Sequence, residues 1–403
     1  MITASGAVII LLALLIHVQA LFLLLQVLAS LPTVRETHRA RGSRPRVAVI
    51  IPAHNEDISI AATIRGIKPQ LSNGDCLVVV ADNCSDDTAG IAGREGAEVV
   101  ERRDQQRVGK GYALDDGIRF VGRTGAPDVI IFVDADCELE PASVEELARV
   151  SIAHDRPVQA TNLQEASASA SRTVRIQQFA LKVKNYVRPL GSSRLGLPCQ
   201  LSGTGMAVPW SNISLVGVST GHIAEDVKLG TDLAIAGHEP MFWPRARVAS
   251  KFPESIEGNR VQRTRWEHGH LAMICEYVPY LFWNAFKKRR LSLGAMALDL
   301  SIPPLGLFAM IMIALTGAGV LVALGGFPTW SVIGTASTVP TLALAIGLAW
   351  YRHGREVVSA ADLLFAPMYA LSKIAMLWRF LTKRQVVWVR SERNPDSIQR
   401  HRM

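Results

Sequence analysis

The sequence predicts an α/β fold, a mostly parallel sheet with helices on both faces, joined to transmembrane helices. Three observations predict it. Apolar runs of strand length alternate with helical stretches. Each run ends in acidic or polar residues, and long stretches without charge flank the alternating region, where about twenty apolar residues suffice to span a bilayer.

Residues 7–31 carry no formal charge and have His17, Gln19 and Gln26 as polar breaks, which reads as a transmembrane helix. A cleavable signal peptide would be shorter and preceded by a basic segment. The arginines 35, 39, 41, 44 and 46 follow instead, and the positive-inside rule then holds the next domain in the cytoplasm with the amino terminus outside. Arg-Val-Ala-Val-Ile-Ile-Pro at 46–52 is a strand of buried type that runs into Ala53-His54-Asn55-Glu56-Asp57 and a helix over 58–71. The unit recurs at 76–81, where Asp82 to Thr88 cap a helix from about Ala89. A third strand at 98–101 leads to Gly109-Lys110-Gly111 and a helix bearing Tyr112, Leu114 and Ile118. The fourth run, 129–133, ends at Asp134-Ala135-Asp136.

Right-handed crossovers return parallel strands in one direction, so Glu56, Asp82 and Asp134 should converge at one sheet edge with Lys110 nearby. Ligands of open α/β sheets bind outside those strand ends. Taken singly, an Asp-x-Asp there is also a solvated turn, and an Asp-Asn is also a helix cap. Together they suit a nucleotide diphosphate: carboxylates for ribose or base, Lys110 for phosphate, and Mg2+ or Mn2+ to prevent acids and phosphates from repelling one another. The chain has neither a G-x-G-x-x-G nor a G-K-[ST] loop, which argues against a dinucleotide fingerprint and a P-loop.

Composition narrows the partners. The net charge of +8 sits beside apolar stretches rather than among exposed aromatics, which favours an anionic membrane surface over nucleic acid. An apolar fraction of 49% and a mean hydropathy of +0.21 point the same way. The five cysteines form no C-x-x-C pair, so neither a zinc site nor a disulfide framework is expected, and a reducing compartment fits.

Pro52-Ala53-His54-Asn55-Glu56, the Ala-Asp-Asn setting of Asp82, Asp134-Ala135-Asp136, Glu225-Asp226 and Gln262-Arg263-Thr264-Arg265-Trp266 together resemble the inverting family-2 glycosyltransferases. More narrowly they resemble the membrane-bound branch of cellulose, chitin and hyaluronan synthases and bacterial exopolysaccharide enzymes. The resemblance spans roughly 47–266 and implies a GT-A-like, Rossmann-like fold. It implies nucleoside contacts at Pro52, Ala53, Glu56 and Asp82, sugar-nucleotide contacts at Lys110 and Asp134, and a metal held by Asp136 with Asp134 shared. Gly203 and Thr204, in a Gly-Thr-Gly segment, would line the acceptor side. Asp226 would be the general base, Glu225 its positioning neighbour, and Gln262, Arg265 and Trp266 would serve the leaving group and acceptor. The family often has Thr-Glu-Asp where this chain has Ala224-Glu225-Asp226, so the hydroxyl is missing.

Residues 173–188 alternate Val174, Ile176, Phe179, Val183 and Val187 with arginines and lysines, an amphipathic helix for the inner leaflet or an ordinary core-facing one. Basic and aromatic residues at 281–290 suggest an interfacial segment, and spans are expected at 305–327 and 332–350 around a Pro-Thr-Trp turn. Asp362, Pro367, Lys373 and Arg379 interrupt 360–381, which favours an interfacial or re-entrant helix and three full spans. No role follows for residues 388–393. The expected division is 1–33 transmembrane, 34–270 cytosolic and catalytic, 271–300 interfacial, and 301–403 transmembrane and interfacial with a basic tail.

The expected protein is thus a multi-pass enzyme of the cytoplasmic membrane that moves sugar from a UDP- or GDP-linked donor to a lipid-linked or polysaccharide acceptor, beside export machinery. Few spans favour single addition, whereas the Gln-Arg-Thr-Arg-Trp motif favours a processive synthase. A non-catalytic sugar-nucleotide scaffold conflicts with the intact Asp136 and Asp226. A nucleotidyltransferase would open with a Gly-rich phosphate loop, which Pro52-Ala53-His54-Asn55-Glu56 is not.

Overall fold

The computed structural model describes residues 4–33, 43–253, 255–325, 335–371 and 373–382. Three of the arginines after the first apolar stretch (35, 39 and 41), the Pro-Thr-Trp turn and the basic tail from 383 lie outside them.

Unbroken apolar runs form strands here because both faces of the sheet are covered. In β1 (Val47–Ala53), Val47, Val49 and Ile51 enter one core while Ala48 and Ile50 enter the other, as side chains alternate along a strand. The same alternation holds in β2 (Cys76–Asp82) and β4 (Val129–Phe132). The first core is closed by α2 (Ile60–Ile67), α3 (Thr88–Arg94) and α5 (Ser143–His154), the second by α4 (Lys110–Gly125) and α9 (Glu225–Ala236). Helices therefore lie on both faces, as expected.

Among the described residues the sheet has eight strands in the order β3-β2-β1-β4-β7-β6-β8-β5, completed by β3 (Glu98–Arg102), β5 (Cys137–Leu139), β6 (Val158–Glu165), β7 (Met206–Pro209) and β8 (Met241–Lys251). Strands β1, β2, β3 and β4 are parallel, with Ile50 opposite both Val78 and Phe132. Strand β7 runs antiparallel to β4 and β6, and β5 antiparallel to β8. The sheet is therefore mixed where a mostly parallel one was expected. The reversal falls at β7. That strand is entered from a loop in which Gly203 and Gly205 take φ of +86° and +63°.

A second body of helices packs behind the sheet domain. Helix α1 (Ala4–Ser30) inserts Ala20, Leu23 and Val27 against Phe179 and Val183, and against Phe308 and Leu342 from the carboxyl-terminal part. Its Gln26 is fully buried and donates from Nε2 to Ser192 Oγ at 2.9 Å and Asp299 Oδ1 at 2.7 Å. Helix α7 (Arg188–Arg194) crosses α1 so closely that a Cβ on Gly191 would lie 1.9 Å from the Gln26 carbonyl oxygen. Gly191→Ala should therefore force the two helices apart at a cost of about 3 kcal/mol or more, since backbone rather than a movable side chain blocks it. Denaturant unfolding of the detergent-solubilised chain checks this, and a wild-type midpoint would refute it.

By length and composition, Leu11–Ser30 is the one described helix that by itself could cross a membrane. Leu291–Ser301 and Leu305–Leu321 pass the same criterion only as a pair, and their axes bend by 81°. The region expected to span at 332–350 contributes the 12-residue helix Thr338–Ala349, and 360–381 is broken into Ala360–Leu364, Ala366–Leu371 and Lys373–Thr382. The amphipathic stretch 173–188 is α6 (Arg172–Lys182) followed by a π-turn, Val183–Val187, and the start of α7. Helix α10 (Ile256–Lys288) is 33 residues long, capped by the Ser255 hydroxyl, which accepts from Gly258 N at 2.9 Å, and continues through residue 270 without a break.

Candidate active site

The shared direction of β1, β2 and β4 brings their carboxyl ends together. Asn55, at φ +56°, turns the chain after β1 so that the Glu56 amide donates to Thr88 Oγ1 at 2.8 Å. Asp82 closes β2 in a buried position, where Arg102 from β3 donates to its Oδ1 at 2.7 Å. Burial pushes the Asp82 carboxyl above its ordinary range, and the arginine opposes this without cancelling it. The same guanidinium reaches Asp116 at 3.0 Å and Asp104 at 3.4 Å. His54 adds a contact from Nδ1 to the Asp82 carbonyl at 2.6 Å.

Lys110 is the first residue of α4, and its ammonium ties three segments together: Asp134 Oδ1 at 2.5 Å, the Gly203 carbonyl at 2.7 Å and Glu225 Oε1 at 3.4 Å. Burial alone would lower this lysine, but Asp134 and Glu225 outweigh it and hold it charged. The Asp134 amide donates to Thr204 Oγ1 at 3.1 Å. Gln159, buried in β6, fixes the 202–204 loop by donating to Thr204 O at 2.9 Å and accepting from Ser202 N at 2.8 Å. Gly203 is needed at this point: its φ is +86°, and a Cβ would sit 3.3 Å from Asp226 Oδ2 and 3.6 Å from Lys110 Nζ.

Glu225 and Asp226 open α9, where the positive end of the helix dipole favours carboxylates. Asp226 Oδ1 accepts from the Val227 amide at 2.8 Å. Burial raises Glu225 to about 7, Lys110 opposes the rise and Asp226 adds to it. A carboxyl whose folded pKa exceeds its unfolded one binds more protons when folded, so its contribution to stability falls as pH rises from about 4.5 through about 7. Glu225→Gln should remove that slope and raise stability at pH 8 by on the order of 1 kcal/mol or more. Unfolding transitions compared at pH 5 and pH 8 test it, and parallel pH dependences for the two proteins would refute it.

All fourteen candidate residues line one cavity of about 250 Å³: Pro52, Ala53, Glu56, Asp82, Lys110, Asp134, Asp136, Gly203, Thr204, Glu225, Asp226, Gln262, Arg265 and Trp266. Gln262 accepts from Gln164 Nε2 at 3.4 Å, and α10 presents it with Arg265 and Trp266 to the cavity, as residues three and four apart do. The lining holds six carboxylates against Lys110, Lys184 and Arg265. Carboxylate oxygens of Asp134 and Asp136 and the Cys137 sulfur fall within 4.8 Å of one another. Burial drives the Cys137 thiol well above its ordinary pKa, so it stays protonated. The donors left are carboxylate oxygens, which fit a hard divalent cation.

Several functional neighbours have no counterpart in the sequence reading. Arg102 lies 20 residues from the Asp82 it holds, and Gln159 is one of five polar residues in β6, where no pattern singles it out. Lys184 and His270 also line the cavity; the first sits on a π-turn that a 3.6-residue period does not anticipate, whereas the second is four residues beyond Trp266 and was accessible to a helical count.

Comparison with known proteins finds glycosyltransferases. The probable glycosyltransferase YdaM of Bacillus subtilis is 27% identical over 261 residues, 61% of this chain and 60% of that protein. Glucosyl-3-phosphoglycerate synthase of Mycobacterium tuberculosis is 35% identical over 111 residues, 26% of this chain and 32% of that enzyme. The chain thus spans less than two thirds of the length of these relatives. Among solved structures, the mannosyltransferase PcManGT from Pyrobaculum calidifontis in complex with GDP-Man and Mn2+ superposes with a TM-score of 0.57 at 16% identity, covering 94% of this chain and 100% of that one, a likeness of fold. The model of the family described as Glycosyltransferase like family 2 matches residues 45–269, more than half of the 403. The chain belongs to that family.

Proposed function

We propose that this protein transfers a sugar from a nucleoside diphosphate to an acceptor hydroxyl, with inversion, at the cytoplasmic face of the cytoplasmic membrane. The observation that carries the reading is the Lys110 node, which sets Asp134, Glu225 and the Gly203 loop around one point and brings Asp226 against that loop. Relatives that take GDP-Man or make glucosyl-3-phosphoglycerate support a sugar-nucleotide donor.

In this reading Glu56 and Asp82 accept hydrogen bonds from the nucleoside beside Pro52 and Ala53, and Lys110 and Asp134 orient the sugar diphosphate. Asp136 and Asp134 would hold Mg2+ or Mn2+, which supplies the positive charge that six carboxylates otherwise deny a diphosphate. Asp226 takes the proton of the acceptor hydroxyl as its oxygen bonds to the anomeric carbon. The bond to the diphosphate oxygen breaks on the opposite face, which inverts the centre. Arg265 offsets charge on the departing diphosphate, and Trp266 gives the acceptor sugar an apolar platform.

The apolar Leu11–Ser30 and the bent pair after α10 support a membrane seat, and with it a lipid-linked acceptor in exopolysaccharide assembly. A processive synthase is the second reading, favoured by the cavity-lining Gln262, Arg265 and Trp266 of its signature motif.

The test is turnover of a panel of UDP- and GDP-sugars by the full chain in detergent with Mn2+, read as nucleotide release and labelled acceptor. Chelation should abolish release by at least about a hundredfold, with Mn2+ restoring it. Release indifferent to chelator would sink the metal role, and no release from any donor would sink the reading.

A further inference from the structure

A second cavity of about 100 Å³ adjoins the first, sharing Leu181, Lys184, Gln262, Trp266 and His270 with it. It lies at the 81° bend between α11 (Leu291–Ser301) and α12 (Leu305–Leu324), walled by Phe252, Ile302, Pro304 and Leu305. Apolar as it is, it collects charge. Two of its ion pairs are satisfied: Arg188 to Asp299 at 2.8 Å, and Lys373 to Glu267. The other two basic side chains, Lys184 and Arg263, make no hydrogen bond and no ion pair within 4 Å among the described residues; burial lowers the Lys184 pKa, which the more distant Asp226 and Asp299 oppose.

Two buried acceptors face the same space without a partner. His270 is 7% exposed, and its Nε2 contacts the Ile302 carbonyl at 2.9 Å. A carbonyl oxygen only accepts, so Nε2 carries the proton and Nδ1 presents a lone pair, which is unpaired. Burial, with Lys184 nearby, pushes this imidazole down to about 3, so it stays neutral. Gln177 is 6% exposed, and its Oε1 is likewise unpaired. Buried polar atoms are as a rule satisfied; Arg188 Nε is a third unpaired one beside these two acceptors, and with Lys184 and Arg263 they describe the complement of a ligand.

We propose that this cavity binds the phosphate end of an amphiphilic acceptor, with Lys184 and Arg263 on the phosphate and His270 Nδ1 and Gln177 Oε1 receiving hydroxyl protons. Two unpaired cations fit a phosphate better than a neutral sugar. The volume is well below the roughly 300 Å³ of a site that encloses a whole ligand, so it takes a headgroup and its first carbons. The hydrocarbon continues along α12, whose twenty residues carry no charge. Through Lys184, Gln262 and Trp266 the headgroup abuts the donor cavity. The proposal deepens the glycosyl-transfer reading and rests on it for the word acceptor.

Equilibrium binding of farnesyl phosphate, farnesol and inorganic phosphate to the full chain in detergent tests it without turnover, so a missing transferase activity would leave the result readable. Farnesyl phosphate should bind at least tenfold more tightly than farnesol. Lys184→Met and Arg263→Met should each erase that preference, and Lys184→Arg should keep it, with an unchanged unfolding transition certifying each variant. Equal binding of farnesol, or a preference surviving in a folded Lys184→Met protein, would overturn the proposal. Inorganic phosphate competing as well as farnesyl phosphate would overturn the amphiphile.

Discussion

Asp226→Asn should lower sugar transfer by about 10²–10⁴-fold while the protein still binds nucleoside diphosphate with Mn2+. Asparagine keeps the shape, and its carbonyl can accept from the Val227 amide as Asp226 Oδ1 does at 2.8 Å. What it loses is the capacity to take a proton. Glu225 cannot substitute easily, since its carboxylate is held 3.4 Å from Lys110 and burial favours its protonated form. Single-turnover transfer and a donor titration on the same preparation separate the two effects. Transfer within tenfold of wild type would remove Asp226 from the role of base.

Arg102→Met should be the most damaging single change far from the reacting bonds. Its side chain is 5% exposed and faces Asp82, Asp116 and Asp104 at 2.7, 3.0 and 3.4 Å. Removing the cation leaves a buried carboxylate at Asp82 without its partner, which costs about 3–5 kcal/mol in comparable cases. Asp82 already titrates above its ordinary range, so without Arg102 it should rise further. The loss is then greatest at alkaline pH, where the carboxyl must ionise, and smaller toward pH 5, where it can stay neutral. Urea unfolding at the two pH values, with a nucleoside diphosphate titration, measures both consequences. Wild-type stability at pH 8 would refute the role.

The sequence legibly carried the half of the sheet made of β1, β2, β3 and β4; in β1, β2 and β4, strands buried on both faces must be apolar throughout and their ends must then be polar. That logic places Glu56, Asp82 and Asp134 on one edge. Residues 225, 226, 262, 265 and 266 were legible through motif resemblance and helical spacing. The other half was not. Strand β8 contains Pro244, Arg245 and Arg247, and its pairing with β6 slips between Ala160 and Thr161, so neither an apolar run nor an alternation marks it. The residues that hold the site in shape were hidden for a related reason: Arg102 and Gln159 act across strands, and no local pattern encodes a partner 20 or 45 residues away.

The deep seating of α1 has a consequence for how the chain is made. Gln26 bonds Asp299, 273 positions later, and Gln19 bonds Ser301, 282 positions later. Contacts so distant in sequence form slowly, since the intervening chain must be ordered first. This apolar helix is therefore made well before its first partners, Phe179 to Ser192, and its hydrogen bonds to Asp299 and Ser301 close only later. In the interval it needs another cover, and a bilayer would provide one. Assembly would then begin with α1 in lipid, and the sheet domain would fold while tethered to the surface on which we propose it works.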